Sequence, residues 1–373
     1  MAKSKLKVVQ VLPALDGGGV ERGTLEVAEA LVHVGHESVV ISAGGRMVPE
    51  LESAGSRHVT WNLGKKSPFT LLQVPLVRRW LLQEQPDILH LRSRMPAWIL
   101  WLAWRSLPVE KRPRLVTTVH GLYSVSGYSR IMCRGERVIA VSKTIEDYIF
   151  KHYPQTEKEC VRLIYRGVDP ADFPRGYEPA RSWLSAWYKT YPQLQGKVVL
   201  TLPGRLTRLK GHHDFILLMD RLIQSGMDVY GLIVGGEDPK RQSYARELYV
   251  EVERLGMSQR IIFTGHRGDV RDIYAVSDVV LSLSTKQESF GRTVLEALSL
   301  GRPVVGYDHG GVGEILGELF PQGRVSIRDQ AQLIEKVILV LGGDLKPKES
   351  HRFIKQSMLE QTLSLYAELG AEH

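Results

Sequence analysis

Cysteine is scarce in this chain: 373 residues hold two, Cys133 and Cys160, with no CxxC partner for either. That excludes a disulfide framework and a zinc ribbon, and it points to a reducing cytosol. A chain of this length also buries enough apolar surface to stand without such staples. Long apolar runs are missing too. The longest, Ala97 to Trp104, has eight residues, well short of the ~18 a membrane span needs. The basic start, Met1 to Lys7, meets an apolar stretch that breaks at Pro13 and Asp16, too short for a signal peptide. No GxxxxGK[ST] occurs, so no P-loop is expected. No Asp-x-Asp ends a strand, and His212, His213 and His309 lack ligand spacing with other His or Cys. No metal site is therefore expected. Tandem repeats, low-complexity tracts, nucleic-acid motifs and an aromatic stacking pattern are likewise absent, so nucleic acid is not an expected partner.

What is present is ordinary globular composition, 43% hydrophobic and 24% charged, in a length that suits two domains. Net charge is +8 and unevenly spread. Residues 1–190 carry 27 Lys/Arg against 18 Asp/Glu, and residues 191–373 carry 22 against 23. Between Arg57 and Lys143 the ratio is 15 to 4. Such asymmetry predicts a polyanionic partner for the first half: nucleic acid, an anionic membrane or an acidic glycolipid.

Short β-branched runs alternate with longer amphipathic stretches. Expected strands are 7–12, 37–42, 87–91, 114–119, 137–141 and 162–165, then 197–202, 229–234, 260–264, 279–283 and 303–306. Helical patterns between them include 20–34, 71–83, 212–224, 242–255 and 293–300. This alternation means parallel α/β sheets covered on both faces. Residues 167–196 break the series, so the expectation is two Rossmann-like domains facing across a cleft. Residues 1–175 form the first, residues 190–345 the second, and 346–373 a terminal helix that packs back on the first.

Ligands of such sheets bind beyond the carboxyl ends of the strands, and five features fall there. Gly17, Gly18 and Gly19 follow the first strand and lead into a helix, where free N–H groups suit an anion; a tight turn without ligand is the plainer reading. His120, at the end of strand 114–119, could act as base, orient a hydroxyl or cap the strand. The segment Gly204-Arg205-Leu206-Thr207-Arg208-Leu209-Lys210-Gly211 offers a planar fork and a point charge, a pairing suited to a diphosphate. The segment from Glu288 through Phe290, Gly291 and Arg292 to Glu296 offers two carboxylates flanking a helix start. Phe290, Val294 and Leu295 mark that helix's core face and leave the other to the ligand. Gly310, Gly311 and Gly313 make one more glycine turn at the same edge.

Taken together, these residues resemble the retaining glycosyltransferases of family 4, which adopt the GT-B fold. The resemblance runs from about Val8 to about Leu341. It is carried by Glu288 and Glu296 with seven residues between them, by Gly204 to Gly211, and by Ala140-Val141-Ser142-Lys143. Arg166-Gly167-Val168-Asp169 with Phe173, and Gly310-Gly311 with Glu314, complete it. The resemblance implies that Arg205 and Lys210 hold the donor's diphosphate, with Gly204 in that loop, that Glu288 bonds the transferred sugar and that Glu296 bonds the ribose. The Phe290, Gly291 and Arg292 backbone would meet the phosphates, and Gly18 and Gly19 would face the reacting centre. His120 would lie near the anomeric side, and the turn Gly265, His266 and Arg267 would flank the base. Ser289 departs from the family's usual Gly or Pro, which loosens the sugar assignment.

The segments from Pro13 to Thr24 and from His90 to Trp98 look more narrowly like bacterial enzymes that build the lipopolysaccharide core. That implies a UDP- or GDP-sugar donor, no cofactor, and a phosphorylated core acceptor met at the anionic inner-membrane surface from the cytoplasm. Arg92 and Arg94 are the candidates for acceptor contact, against a plain surface reading. A nucleotide-sugar epimerase on the same fold and a basic nucleic-acid-binding protein are the rival readings; product analysis without acceptor separates the first.

Overall fold

The computed structural model describes residues 5–65, 67–237, 242–343 and 345–371. The chain divides into two compact units: residues 1–166 with 355–373, and residues 167–354.

The first unit holds seven strands, β1 (Lys7–Val11), β2 (Glu37–Ser42), β3 (Arg57–Thr60), β4 (Ile88–Leu91), β5 (Arg114–Val119), β6 (Arg137–Ala140) and β7 (Val161–Leu163). They pair in parallel in the order β3-β2-β1-β4-β5-β6-β7. Alternation along each strand feeds two cores. Val9, Val11, Leu89 and Leu91 pack with Ile99, Leu100 and Ala103 of helix Arg94–Arg105. On the other face Val8, Ile88, Val116 and Ile139 meet Val27 and Leu31 of helix Gly19–His33. Leu365, Tyr366 and Leu369 of helix Lys355–Ala371 close that same core, so the last helix completes the first unit.

The second unit holds β8 (Val198–Pro203), β9 (Val229–Val234), β10 (Ile261–Gly265), β11 (Val279–Ser282), β12 (Val304–Tyr307) and β13 (Arg324–Val325). Their order, β10-β9-β8-β11-β12-β13, repeats the first sheet's logic. An aromatic cluster covers one face, with Trp183 stacked on Trp187 at 5.0 Å. Residues 167–175 and 345–354 meet through a bridge between Val168 and Ile354.

In both sheets the strand order reverses beside the first strand, between β1 and β4 and between β8 and β11. A crevice opens at the carboxyl ends of such a pair, because the connecting helices leave to opposite faces. No helix among the described residues is long and apolar enough to cross a membrane.

Candidate active site

The reversal point of the second sheet brings together two of the residues that the sequence singles out, Lys210 and Glu288. The loop after β8 carries Lys210 and the loop after β11 carries Glu288; the ammonium donates to the carboxylate at 2.6 Å. Backbone geometry sets this meeting. Thr285 N–H donates to Leu209 O at 2.8 Å, tying the two loops. Gly211 caps helix His212–Gln224 with φ at 72°, and a Cβ there would lie 2.0 Å from Leu283 O. Gly211→Ala therefore meets both left-handed strain and backbone that cannot yield. We expect it to cost ~2–4 kcal/mol, as strain plus overpacking. Thermal unfolding of the variant checks this; an unchanged midpoint would mean the loops do not need that approach.

Glu288 is held from three sides. Ser284 Oγ donates to the same carboxylate oxygen as Lys210, and Gly311 N–H donates to Glu288 O at 2.8 Å. His309 Nε2 donates to Ser284 O at 2.7 Å and so fixes that residue. Burial pushes the Glu288 pKa up, but attraction to Lys210 and hydrogen bonds from Lys210 and Ser284 outweigh it, leaving a net lowering. Glu288 is thus a carboxylate at neutral pH, able to accept bonds from hydroxyls. Ser284 and His309 are absent from the sequence-based set. A Ser and a His at strand ends carry no spacing signal, and only the fold shows that they touch Glu288.

Other assigned residues sit as follows. Arg205 is exposed, and no described residue bonds its guanidinium. Gly204 precedes it at the end of β8. Phe290 is buried against Phe353, with ring centroids 5.9 Å apart. Gly291 caps helix Arg292–Ser299 in the left-handed region, and a helix start of this kind presents N–H donors that suit an anion. Glu296, in the same helix, is buried, and its carboxylate accepts from Arg292 Nε at 3.0 Å. The helix buries more of its circumference than Phe290, Val294 and Leu295 alone suggest. At the end of β10, Gly265 and His266 are exposed. Arg267 pairs with Asp269 at 2.6 Å and lies over Trp187, 5.6 Å from the ring centroid.

In the first unit, Gly18 caps helix Gly19–His33 at the end of the loop after β1. Arg92 corrects the surface reading. It is 3% exposed and donates to Gln10 of β1, so it lies under the reversal point of the first sheet. Arg94 is half-buried over Tyr123, 4.5 Å from the centroid. His120 follows β5 and accepts at Nδ1 from Arg166 Nη2 at 2.8 Å. Burial, then Arg166, Arg92 and His90, hold its pKa well below the usual value, so the ring is neutral. A buried polar layer surrounds it. His90 Nε2 meets Thr118 Oγ1 at 2.6 Å, and His90 Nδ1 meets Tyr366 Oη at 2.5 Å. Gln10, His90 and Thr118 are buried polar residues inside largely apolar strands. That interruption is the signal that could have found the layer.

Two doubly wound units, each with polar and glycine-rich loops at its reversal point, define the class of proteins built from two Rossmann-like sheets with ligand-binding loops at their carboxyl edges. Comparison with known proteins narrows this. Residues 17–172 match Glycosyltransferase Family 4, and residues 189–358 match Glycosyl transferases group 1. The chain belongs to these glycosyltransferases and has their GT-B fold. Among solved structures, a glycosyltransferase from Rickettsia africae is 28% identical, with a TM-score of 0.86 over 98% of this chain and 99% of that one. HepE from Anabaena, in complex with UDP, is 21% identical, with a TM-score of 0.81 over 97% and 100%. WaaG, a glycosyltransferase involved in lipopolysaccharide biosynthesis, is 17% identical, with a TM-score of 0.68 over 98% and 94%.

Proposed function

We propose that the chain is a retaining hexosyltransferase that moves a sugar from a nucleotide diphosphate sugar, UDP-glucose or GDP-mannose, to a sugar of the lipopolysaccharide core. The observation that carries this reading is the Lys210–Glu288 pair at 2.6 Å, with exposed Arg205 in the same loop as Lys210 and helix Arg292–Ser299 starting just after Glu288. A diphosphate entering there takes Lys210 and Arg205 as cations and the helix N–H groups as donors, and releases Glu288 to the sugar's hydroxyls. HepE, a similar protein, was solved with UDP, which favours that base. Charge on the departing nucleotide would be met by these groups, an electrostatic contribution that is often the largest in catalysis.

Two measurements test this reading. A thermal shift panel of UDP, GDP and ADP should single out one nucleotide, since a ligand at a hundred times its dissociation constant adds ~2.7 kcal/mol. Proton NMR of the product should show the donor's anomeric configuration kept. Inversion would end the retaining assignment, and turnover of donor alone to an isomeric nucleotide sugar would favour the epimerase. Because protein cations meet the diphosphate, activity should survive EDTA. Complete loss with EDTA and rescue by manganese would sink that expectation.

We further propose that the enzyme works peripherally at the cytoplasmic face of the anionic inner membrane, where a phosphorylated core acceptor would lie. The support is one edge of the first unit. After β3 the chain makes a 3-10 turn, Pro68–Gln73, and then helix Val74–Glu84. Phe69, Leu72 and Leu76 stand 76%, 71% and 60% exposed along it. Spacings of three in a 3-10 turn and four into an α-helix put them in one stripe. No Asp or Glu occurs between Glu52 and Glu84, while Arg57, Lys65, Lys66, Arg78 and Arg79 do.

A further inference from the structure

The polar layer under the first sheet's carboxyl edge contains a bond that limits what His120 can do. Arg166 Nη2 lies 2.8 Å from His120 Nδ1. A guanidinium has five N–H donors and no acceptor, so Nδ1 must offer its lone pair. The ring is then neutral and its proton sits on Nε2. That nitrogen is buried and has no hydrogen-bond partner among the described residues, an unmet donor that costs free energy until an oxygen meets it.

We infer that Arg166 is a positioning residue: it holds His120 as the neutral Nε2–H tautomer, so that His120 serves as a hydrogen-bond donor to a substrate oxygen and not as a base. The tautomer stands on the geometry alone; only the identity of that oxygen rests on the sugar transfer proposed above.

The surroundings all favour this state. Arg92 and His90 approach the ring from the end of β4, and Arg166 from the segment after β7. Tyr123 Oη accepts His120 N–H at 3.3 Å from the ring's own loop. From helix Lys355–Ala371, Tyr366 holds His90, and Met358 Sδ lies 3.6 Å from Arg166 Nη1. From helix Gly19–His33, Glu26 attracts Arg92 and so counters part of its charge. Protonating Nδ1 would set two donors face to face beside these cations.

Room for the guanidinium comes from one glycine. A Cβ at Gly23, inside helix Gly19–His33, would lie 2.0 Å from Arg166 Nη1. Alanine favours a helix interior over glycine, and the atom it meets is the end of a flexible side chain. Gly23→Ala should therefore leave the fold intact while moving the guanidinium off Nδ1. This separates the bond from the charge and from stability.

The test uses the full chain with nitrogen-15 in its histidines, followed by NMR from pH 5 to 8, with His120 identified by its loss in His120→Gln. The wild type should show a pyrrole-type Nε2, a pyridine-type Nδ1 and no titration. Arg166→Met and Gly23→Ala should show mixed tautomers, and Arg166→Lys should restore the single one in part. UDP-glucose hydrolysis by the same proteins gives the second readout. Arg166→Met and Gly23→Ala should lower kcat with little change in the KM for donor. His120→Gln keeps an N–H near the place of Nε2 and should stay within roughly tenfold of wild type, while His120→Ala loses roughly a hundredfold, in the range for one positioned proton or hydrogen-bond donor. A wild-type ring that carries its proton on Nδ1, or that titrates within this range, would overturn the inference. So would a Gln variant as inactive as Ala. Failure of every protein to turn over UDP-glucose would count against the donor assignment, and the NMR arm would still decide the tautomer.

Discussion

Lys210→Met should lower nucleotide-sugar turnover by roughly 10²–10³, the size seen when one group that stabilises transition-state charge is lost. The same change should alter how stability depends on pH. In the wild type the folded Glu288 pKa lies below its ordinary value of 4.5, because Lys210 and Ser284 outweigh burial. A carboxyl lowered in this way contributes stability that is present above the unfolded pKa and lost as pH falls through the folded one. Without Lys210, burial is the largest influence left, opposed by Ser284 and His309 alone. The folded pKa should then rise past the unfolded value, and stability should decline as pH climbs from the ordinary carboxylate range. Since each partner keeps about a quarter of its side chain exposed, the loss at neutral pH should stay below the ~3–5 kcal/mol of a fully buried pair broken on one side. Arg205→Ala should match the loss of turnover without moving the unfolding curve, because no described residue bonds it. Glu288→Ala should lose turnover to a similar degree. Parallel pH–stability curves for wild type and Lys210→Met would refute the pairing argument, and near-normal turnover would refute the role given to Lys210.

Much of this fold is written in local pattern, and its limits have physical causes. Strands such as β1, β2, β5, β8 and β9 lie in buried sheet interiors, so their runs are β-branched and nearly continuous. Two edge strands escaped. β3 spans Arg57–Thr60 with both ends exposed, and β13 has two residues; neither buries enough to need an apolar run. The stretch 71–83 read as one helix, yet a 3-10 turn occupies Pro68–Gln73 before the helix begins at Val74. At the candidate site, the glycines and charged residues at strand ends were legible because sheet topology brings such loops to one edge. Which charges meet was not legible. Lys210 reaches Glu288 through the Gly211 approach to Leu283 O, and Arg92 turns inward to Gln10. Both depend on contacts across dozens of residues that spacing does not encode. The charge count misled in the same way. Arg105 and Arg112 lie over Trp101 and Trp104, and Arg78 Nε donates to Ser106 O at 3.2 Å. Fewer of the basic residues are free to meet a membrane than the ratio of 15 to 4 implies.

That reduction shifts the weight of proposed membrane docking from charge to apolar surface. A Lys or Arg close to an anionic leaflet is worth ~1 kcal/mol, and Lys65 and Arg79 are the exposed, described cations beside the ridge; Lys66 lies outside the described residues. Each of Phe69, Leu72 and Leu76 gains ~1.5–3 kcal/mol when fully buried. Even half of that for three side chains is roughly 2–4 kcal/mol, a thirtyfold to several-hundredfold effect on partitioning and larger than the cationic share. The first unit should therefore bind anionic vesicles in two layers. One weakens as salt rises, because exposed charges are screened beyond a Debye length. The other persists. Phe69→Gln with Leu72→Gln and Leu76→Gln should remove the persistent part, and Lys65→Glu with Arg79→Glu the salt-sensitive part. Neither set should change UDP or GDP affinity, since these residues belong to the first unit and the donor groups to the second. Sedimentation with phosphatidylglycerol and phosphatidylcholine vesicles at low and high salt reads both. Binding that ignores the triple substitution would remove the ridge from the account, and equal binding to the two lipids would remove the charges. With neither kind of binding, peripheral docking by the first unit falls, while the donor-site reading stands on its own measurements.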